Sequence, residues 1–314
     1  MLRFIMRRIL TALPSLFLIT LIVFTLVQLS PGDPAISAAG PDASAEQIEV
    51  IRERLGLNDP LVQQYSSWAG KAATGDFGES LTGGYDVLDA IVQRLPVTMS
   101  LAGLALVFAL LIAIPAGSIA AVRSGGFLDR GIIVMTSIGI AIPSFGVGLL
   151  FVYVFALKLG WFPATGYIPF SESPFEWLRR LVLPALALGV AVSAELTRYL
   201  RASLRDVLQS DYVRTARSKG LSPWKVVGKH GLKHAALPVV TVLGLQAGQL
   251  LGGVIVIELV FGLPGVGTLT VAAVYARDYP VIQGAALLAG VMVLLLNLLV
   301  DLSYSYFDPR IRLA

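Results

Sequence analysis

Residues 95–122 read LPVTMSLAGLALVFALLIAIPAGSIAAV and contain no charged side chain. An α-helix rises 1.5 Å per residue and the hydrocarbon core of a bilayer is about 30 Å thick, so this stretch is long enough to cross a membrane. A further span forms if a helix continues from Leu181 past Glu195 and Arg198 to Leu200, because Glu195 and Arg198 would then pair one turn apart. The other predicted spans are 9–32, 131–157, 235–257 and 279–300.

The composition excludes several classes of protein. Hydrophobic residues make up 56% of the chain and charged residues 14%, with a mean hydropathy of +0.77, whereas soluble domains carry about 25% charged residues. The chain has no cysteine, and its two histidines, His230 and His234, form at most half of a metal site. It also lacks the G-x-x-x-x-G-K-[ST] loop that holds ATP phosphates. We therefore predict an all-α integral membrane protein with six transmembrane helices and without a cofactor, metal site or catalytic residue of its own.

The basic residues predict the orientation in the membrane. With a cytoplasmic N-terminus, 16 of the 24 lysines and arginines lie on the cytoplasmic side, in agreement with the positive-inside rule. We expect both termini in the cytoplasm, and we ascribe the positive charge to this orientation and not to a nucleic acid partner. Residues 33–94, with ten acidic and four basic residues, are predicted to lie on the opposite side. The first span exceeds a signal-peptide core and ends in the rigid turn Pro31-Gly32-Asp33-Pro34, so we expect a retained anchor.

The extracytoplasmic segment carries several helix signals. Ser44 and Gln47 form a capping box at the start of one helix, which Gly56 ends. Asp59-Pro60 begins a second helix, and a third, residues 87–95, leads into the second span. Two interpretations stay open: these helices cap the mouth of the bundle, or they contact an external protein or gate the mouth.

The basic segment 211–233 carries its own helix signals. Asp211 can cap a short helix that Gly220 ends, and Ser222-Pro223 begins a second helix toward His230. A positive-inside loop in solvent needs basic residues but no caps. We therefore favour a rigid docking element over a solvated loop.

Short motifs follow one another in a specific order from end to end of the chain. They are Pro31-Gly32-Asp33-Pro34, Leu55-Gly56-Leu57 with Pro60 and Gln64-Tyr65, Gly75-Asp76-Phe77-Gly78, Arg214-Thr215-Ala216 with Lys219-Gly220-Leu221, Glu258 with Pro264-Gly265-Val266-Gly267, Arg277-Asp278-Tyr279-Pro280, Asn297-Leu298-Leu299-Val300-Asp301 and Asp308-Pro309-Arg310-Ile311-Arg312. In this order the chain resembles a membrane permease subunit of ATP-binding-cassette (ABC) importers of the peptide/nickel type, similar to permease B of dipeptide and oligopeptide systems. The resemblance implies a type I importer permease fold, divided into a tail and first span (1–32), an extracytoplasmic helical segment (33–94) and a five-helix permease core (95–314).

The family's coupling motif, E-A-A, three residues, Gly, nine residues and I-x-L-P, docks in a groove of the ATPase. In this chain Ala216, Gly220 and Leu232 match that motif, whereas Arg214 stands at the position of the glutamate, whose contacts therefore do not carry over. The resemblance implies a coupling role for the residues at and beside these positions. They are Arg214, Thr215, Ala216, Arg217, Lys219, Gly220, Leu221, Lys225, His230 and Leu232.

The resemblance also implies partners in the bacterial inner membrane. They are a second, homologous permease subunit, two cytoplasmic ATPase subunits that use ATP and Mg²⁺, and an extracytoplasmic solute-binding protein. The mechanism is alternating access, with a di- or oligopeptide as the expected solute and a nickel chelate as the alternative. A secondary transporter would need membrane-embedded ion sites, and an intramembrane enzyme would need a nucleophile with its base or metal ligands; the sequence offers neither.

A polar stripe in the fifth and sixth spans is a candidate for the translocation path. Gln246 and Gln249 lie one turn apart with Gly253 on the same face, and Asn297 lies in the sixth span. The alternative is that these side chains form hydrogen bonds between helices around small residues. The prolines at 115, 143 and 184 are expected to kink or end helices.

Overall fold

The computed structural model describes residues 2–29, 32–40, 42–218, 220, 222, 225 and 227–307. Apart from one isolated bridge between Glu79 and Asp86, its regular structure in these ranges is helical. The α-helices are α1 (Leu2–Leu29), α2 (Pro34–Ala39), α3 (Ala45–Arg54), α4 (Leu61–Ala73), α5 (Val87–Val122), α6 (Phe127–Ala141), α7 (Ser144–Phe151), α8 (Pro174–Leu208), α9 (Asp211–Ser218), α10 (Leu232–Phe261), α11 (Val266–Ala276) and α12 (Tyr279–Phe307). Two π-helical segments, Val152–Lys158 and Val227–Gly231, follow α7 and precede α10.

The helices confirm an all-α protein that crosses the membrane several times. Among the described residues, five helices are long and apolar enough to span a bilayer, within α1, α5, α8, α10 and α12. The span over 181–200 is confirmed as part of the continuous helix α8. The predicted span over 131–157 is a bent pair of helices: α6 and the helix that begins at Ser144 meet at 99°, and counted as one broken span they are the sixth. Pro143 causes this break, since proline lacks an N–H and disfavours helical geometry at Ile142, whose ψ is 123°.

The chain forms two compact units, the first of which comprises residues 1–98 and 264–294. Its sequence signals are largely confirmed: Ser44 and Gln47 form the capping box of α3, and Gly56 takes the left-handed φ of +66° after it. Asp33 caps an additional helix, α2, with Pro34 in its first turn, which we did not predict. The predicted helix over 87–95 is the beginning of the 36-residue helix α5.

Aromatic rings hold α4 against α1 in the first unit. The ring of Phe24 lies 5.4 Å from that of Tyr65 and 6.0 Å from that of Trp68, measured between centroids. Tyr65 also shares a hydrogen bond of 2.8 Å with Thr20. These contacts position α4 beside the C-terminal half of α1.

A buried carboxylate fixes another part of the first unit. Asp278 is 1% exposed and accepts hydrogen bonds from the Ser80 hydroxyl, from the Leu81 N–H (3.1 Å) and from the Thr82 hydroxyl (3.1 Å). The Ser80 oxygen in turn accepts from the Gly83 N–H at 2.8 Å. These neutral donors tie the loop before α5 to the junction between α11 and α12.

The second unit comprises residues 99–263 and 295–314 and is organised around α8. This helix packs against α6, α7 and α10. Small residues allow close approach: a Cβ on Gly189 would lie 2.9 Å from the Ala105 carbonyl oxygen, and one on Gly139 would lie 3.2 Å from the Ala194 Cβ. Close packing of small residues is typical of helix contacts in membranes.

Candidate functional site

The candidate docking segment, residues 211–233, follows α8 after only Gln209 and Ser210. Its helix α9 is held by Val213, which is fully buried, and Val227 is also buried at 3% exposure. The side chain of Thr215 is exposed, as are Ser218 and Lys225. The segment therefore has apolar anchors and an exposed polar surface.

A left-handed turn follows α9. Gly220 has a φ of +82°, as we predicted for the residue that ends this helix, and no atom of the described residues lies within 4 Å of the position that a Cβ would take. The space is open, but the backbone geometry favours glycine or asparagine over other residues. A side chain at this position therefore strains the turn without meeting a steric barrier.

Part of the predicted coupling set lies outside the described residues. This applies to Lys219 and Leu221 and to the side chains of Arg214, Ala216, Arg217 and His230. Leu232 begins α10 and is half-buried. The start of the predicted second short helix thus falls in a gap, and its end, Val227–Gly231, is π-helical and continues into α10.

An ion pair braces α8 near this segment. The Arg201 Nη2 donates to the Asp129 Oδ2 at 2.7 Å, and the Arg201 Nε donates to the other carboxylate oxygen. Asp129 is 1% exposed and also accepts the Gly125 N–H at 2.7 Å. We call this arrangement the Asp129–Arg201 brace; it joins α8 to the start of α6 through a bidentate, charge-assisted contact.

The predicted path residues have different surroundings. Gln246 is 8% exposed and donates to Glu195 of α8, so that Glu195 pairs across two helices and not with Arg198. Gln249 and Asn297 are exposed in the isolated chain, and Gly253 is half-buried beside Leu188. Gln246 thus makes the interhelical hydrogen bond of the alternative interpretation, while a lining role for the four residues stays a prediction.

Neither partner of the brace was predicted from the sequence. Asp129 and Arg201 are 72 residues apart, and each occurs in a segment whose charge the positive-inside rule already explained. The one indication in the sequence was Asp129, an acidic residue in the short loop between two spans, where the other charged residues are basic. The arrangement offers no reactive groups for chemistry among the described residues; it joins an exposed candidate docking surface to a long, braced helix.

Comparisons with known proteins show the family of the chain. The family described as "Binding-protein-dependent transport system inner membrane component" matches residues 113–313, and the corresponding N-terminal family matches residues 1–102. A probable peptide ABC transporter permease protein of Sinorhizobium fredii is 40% identical over 98% of this chain and 99% of its own length. The glutathione transport system permease protein GsiC of Escherichia coli is 44% identical over 99% of both chains.

A solved structure shows the same fold. A chain of the MetNI methionine ABC transporter, in an inward facing conformation, superposes with a TM-score of 0.57 at 17% identity, covering 69% of this chain and 96% of that one. The family matches together cover nearly the whole sequence, and the full-length relatives are named permeases. The chain belongs to the family of binding-protein-dependent transport system inner membrane components, and it is a multi-pass inner-membrane permease subunit of an ABC importer, not an enzyme.

Proposed function

We propose that this permease imports di- and oligopeptides and forms half of the translocation pathway with a second, homologous permease. The observation that carries the proposal is identity of 40–44% over the full chain with proteins named peptide and glutathione permeases. Glutathione is itself a short peptide, so both names favour a peptide over nickel. A solute-binding protein would deliver the peptide from outside the cytoplasm.

The proposed orientation places both termini and the 211–233 segment in the cytoplasm. The distribution of basic residues supports this orientation. Two ATPase subunits would dock on the exposed side of α9 and the Gly220 turn and would hydrolyse ATP with Mg²⁺. Their closure would push the docked segment, and α8 would carry the movement into the membrane because only Gln209 and Ser210 separate the two helices.

Uptake by intact cells tests the substrate. Cells that lack this gene, and the same cells complemented with it, would be given labelled dialanine, labelled trialanine and radioactive nickel. We expect complementation to restore uptake of the peptides and to leave nickel uptake unchanged. Restored nickel uptake without peptide uptake would overturn the peptide assignment and make the chain a metal importer.

A pair of substitutions at one position tests the docking segment. In Gly220→Glu, a bulky acidic side chain enters a strained turn, and we expect peptide uptake to fall to background while the protein still inserts in the membrane and the ATPases still hydrolyse ATP. Gly220→Asn is the matched control, because asparagine tolerates left-handed geometry. Normal uptake in Gly220→Glu would contradict the docking role.

A further inference from the structure

The first unit contains a pocket of about 290 Å³ that the proposed coupling mechanism does not use. Gly32 and Tyr279 line it, and charged residues of both signs, Asp59, Lys71 and Asp76, contribute to its wall. A volume near 300 Å³ is at the lower end of the range for small-molecule sites. The pocket therefore suits a ligand of one or two amino-acid residues.

The hydroxyl of Tyr279 indicates that something binds there. Tyr279 is 5% exposed, and its Oη is buried without a hydrogen-bond partner among the residues that the structure describes. A buried polar group left without a partner costs about 1–3 kcal/mol. Since Tyr279 lines the pocket, a ligand with a polar group can supply the missing hydrogen bond.

Arg277 is not itself a lining residue of the pocket, but its guanidinium lies beside one, Gly32. A Cβ on Gly32 would lie 3.0 Å from the Tyr279 Oη and 2.9 Å from the Arg277 Nη1, and Gly32 has a φ of +134° that glycine favours. None of the ion pairs within the described ranges involves Arg277. The guanidinium and the Tyr279 hydroxyl thus lie on the same side of Gly32, where both can donate to a carboxylate bound beside this residue.

The remaining walls offer the complementary chemistry. Asp59 and Asp76 are exposed carboxylates on the pocket wall, and no ion pair of the described residues engages either of them. They can pair with an ammonium group. The rings of Trp68 and Phe77 are half-buried in the same wall and provide an apolar surface.

We propose that this pocket binds a free dipeptide as a zwitterion. The peptide carboxylate contacts Tyr279 and Arg277 beside Gly32, and the ammonium group faces Asp59 and Asp76. The proposal rests on the proposed function, because it makes the pocket a second contact for the same class of substrate, held by this chain and not by the solute-binding protein.

Equilibrium dialysis with the full-length protein tests this site. The protein is placed in phosphatidylcholine nanodiscs without the solute-binding protein and is given labelled Ala-Phe, its N-acetyl derivative or its C-terminal amide. We expect each blocked peptide to bind about tenfold more weakly or worse, because each loses a charge-assisted hydrogen bond. Equal binding of the three peptides, or no binding of Ala-Phe, would overturn the proposal.

Variants locate the carboxylate contact. In Arg277→Gln we expect Ala-Phe to bind as weakly as its amide, so that the discrimination between acid and amide disappears. Arg54→Gln is the matched control, since Arg54 is an exposed arginine of the same unit that lies neither in the pocket wall nor among the atoms nearest Gly32. If Arg277→Gln retains the discrimination, the assignment of the carboxylate to this corner is wrong.

A zwitterionic lipid headgroup, like a dipeptide, carries one ammonium group and one anionic group. A third experiment distinguishes these two ligands. In nanodiscs that contain phosphatidylethanolamine, Ala-Phe should bind with unchanged affinity; abolished binding would assign the pocket to lipid and overturn the peptide. Binding is measured without transport. Peptide uptake without binding therefore overturns this inference alone, whereas binding without uptake overturns the proposed function alone.

Discussion

Asp129 in the second unit and Asp278 in the first unit are equally buried, each with 1% of its surface exposed. Asp129 faces a cation, the Arg201 guanidinium, and one backbone N–H. Asp278 faces no cation among its hydrogen-bond partners and is held by two hydroxyls and one backbone N–H. The two buried carboxylates thus accept hydrogen bonds from different kinds of donor.

The difference shows what each region is built to do. The hydroxyl and N–H donors of residues 80–82 hold that short loop in one place. These donors are neutral, so none of them is left as an unpaired charge if the loop moves. A bidentate arginine pair joins two helices that are far apart in sequence, and separation leaves two desolvated charges. We therefore expect the first unit to hold a fixed loop and the second unit to resist relative movement of α6 and α8.

The largest effect is expected for Asp129→Ala. It leaves the Arg201 guanidinium, whose side chain is 20% exposed, without its main partner, and loss of one member of a buried pair costs about 3–5 kcal/mol. Thermal unfolding of the detergent-solubilised protein would measure this loss of stability. We expect a value at the lower end of the range because Arg201 keeps some contact with solvent.

A double variant sharpens this prediction. Asp129→Ala combined with Arg201→Met removes both charges, and most of the lost stability should return, because an apolar replacement of a whole pair is often neutral. Peptide uptake should stay reduced in the double variant if the brace transmits movement. Equal stability of the single and double variants would mean that the Arg201 guanidinium, left without Asp129, carries no desolvation penalty.

A smaller loss is expected for Asp278→Asn. The amide keeps the size of the carboxylate but turns one acceptor oxygen into a donor that faces other donors, which should cost about 2 kcal/mol. Asp42→Asn, at an exposed position of the same unit, is the control. If Asp278→Asn destabilises the protein as strongly as Asp129→Ala, the contrast between the two carboxylates fails.

Ser80→Ala should have a smaller effect again. It removes one of three donors to Asp278 and the acceptor of the Gly83 N–H, at an expected cost of about 1 kcal/mol. The unfolding midpoint in detergent would detect this loss. Ser66→Ala, at an exposed serine of α4, should leave that midpoint unchanged.

The smallest effect on stability is expected for Tyr279→Phe in the absence of peptide. The hydroxyl has no partner among the described residues, so its removal should leave the unfolding temperature unchanged or slightly higher. Tyr85→Phe, at an exposed tyrosine outside the pocket, is the control. A clear loss of stability in Tyr279→Phe would show that the hydroxyl is already satisfied within the protein.

The fold could be predicted to the extent that it depends on local sequence. The spans follow from uninterrupted apolar length, and the start of α3 follows from Ser44 and Gln47, which are three residues apart. A break at Pro143 was predicted, since proline there was expected to kink or end a helix, but its angle of 99° was not, because that angle depends on how α6 and α7 pack. The hydrogen-bond partners of Asp278 are nearly 200 residues away in sequence. No periodic pattern of apolar residues predicts a contact between residues so far apart.

The brace also divides α8 into unequal arms. Arg201 lies about 10 Å from the end of α8 at Leu208 and about 40 Å from its other end at Pro174, at 1.5 Å per residue. If α8 tilts as a rigid rod with the brace as its fulcrum, the distant end moves through about four times the arc of the end that carries α9. A shift of about 1 Å imposed on the docking segment then becomes about 4 Å at the far end. In that case the position of one arginine along one helix would set the mechanical gain of the subunit.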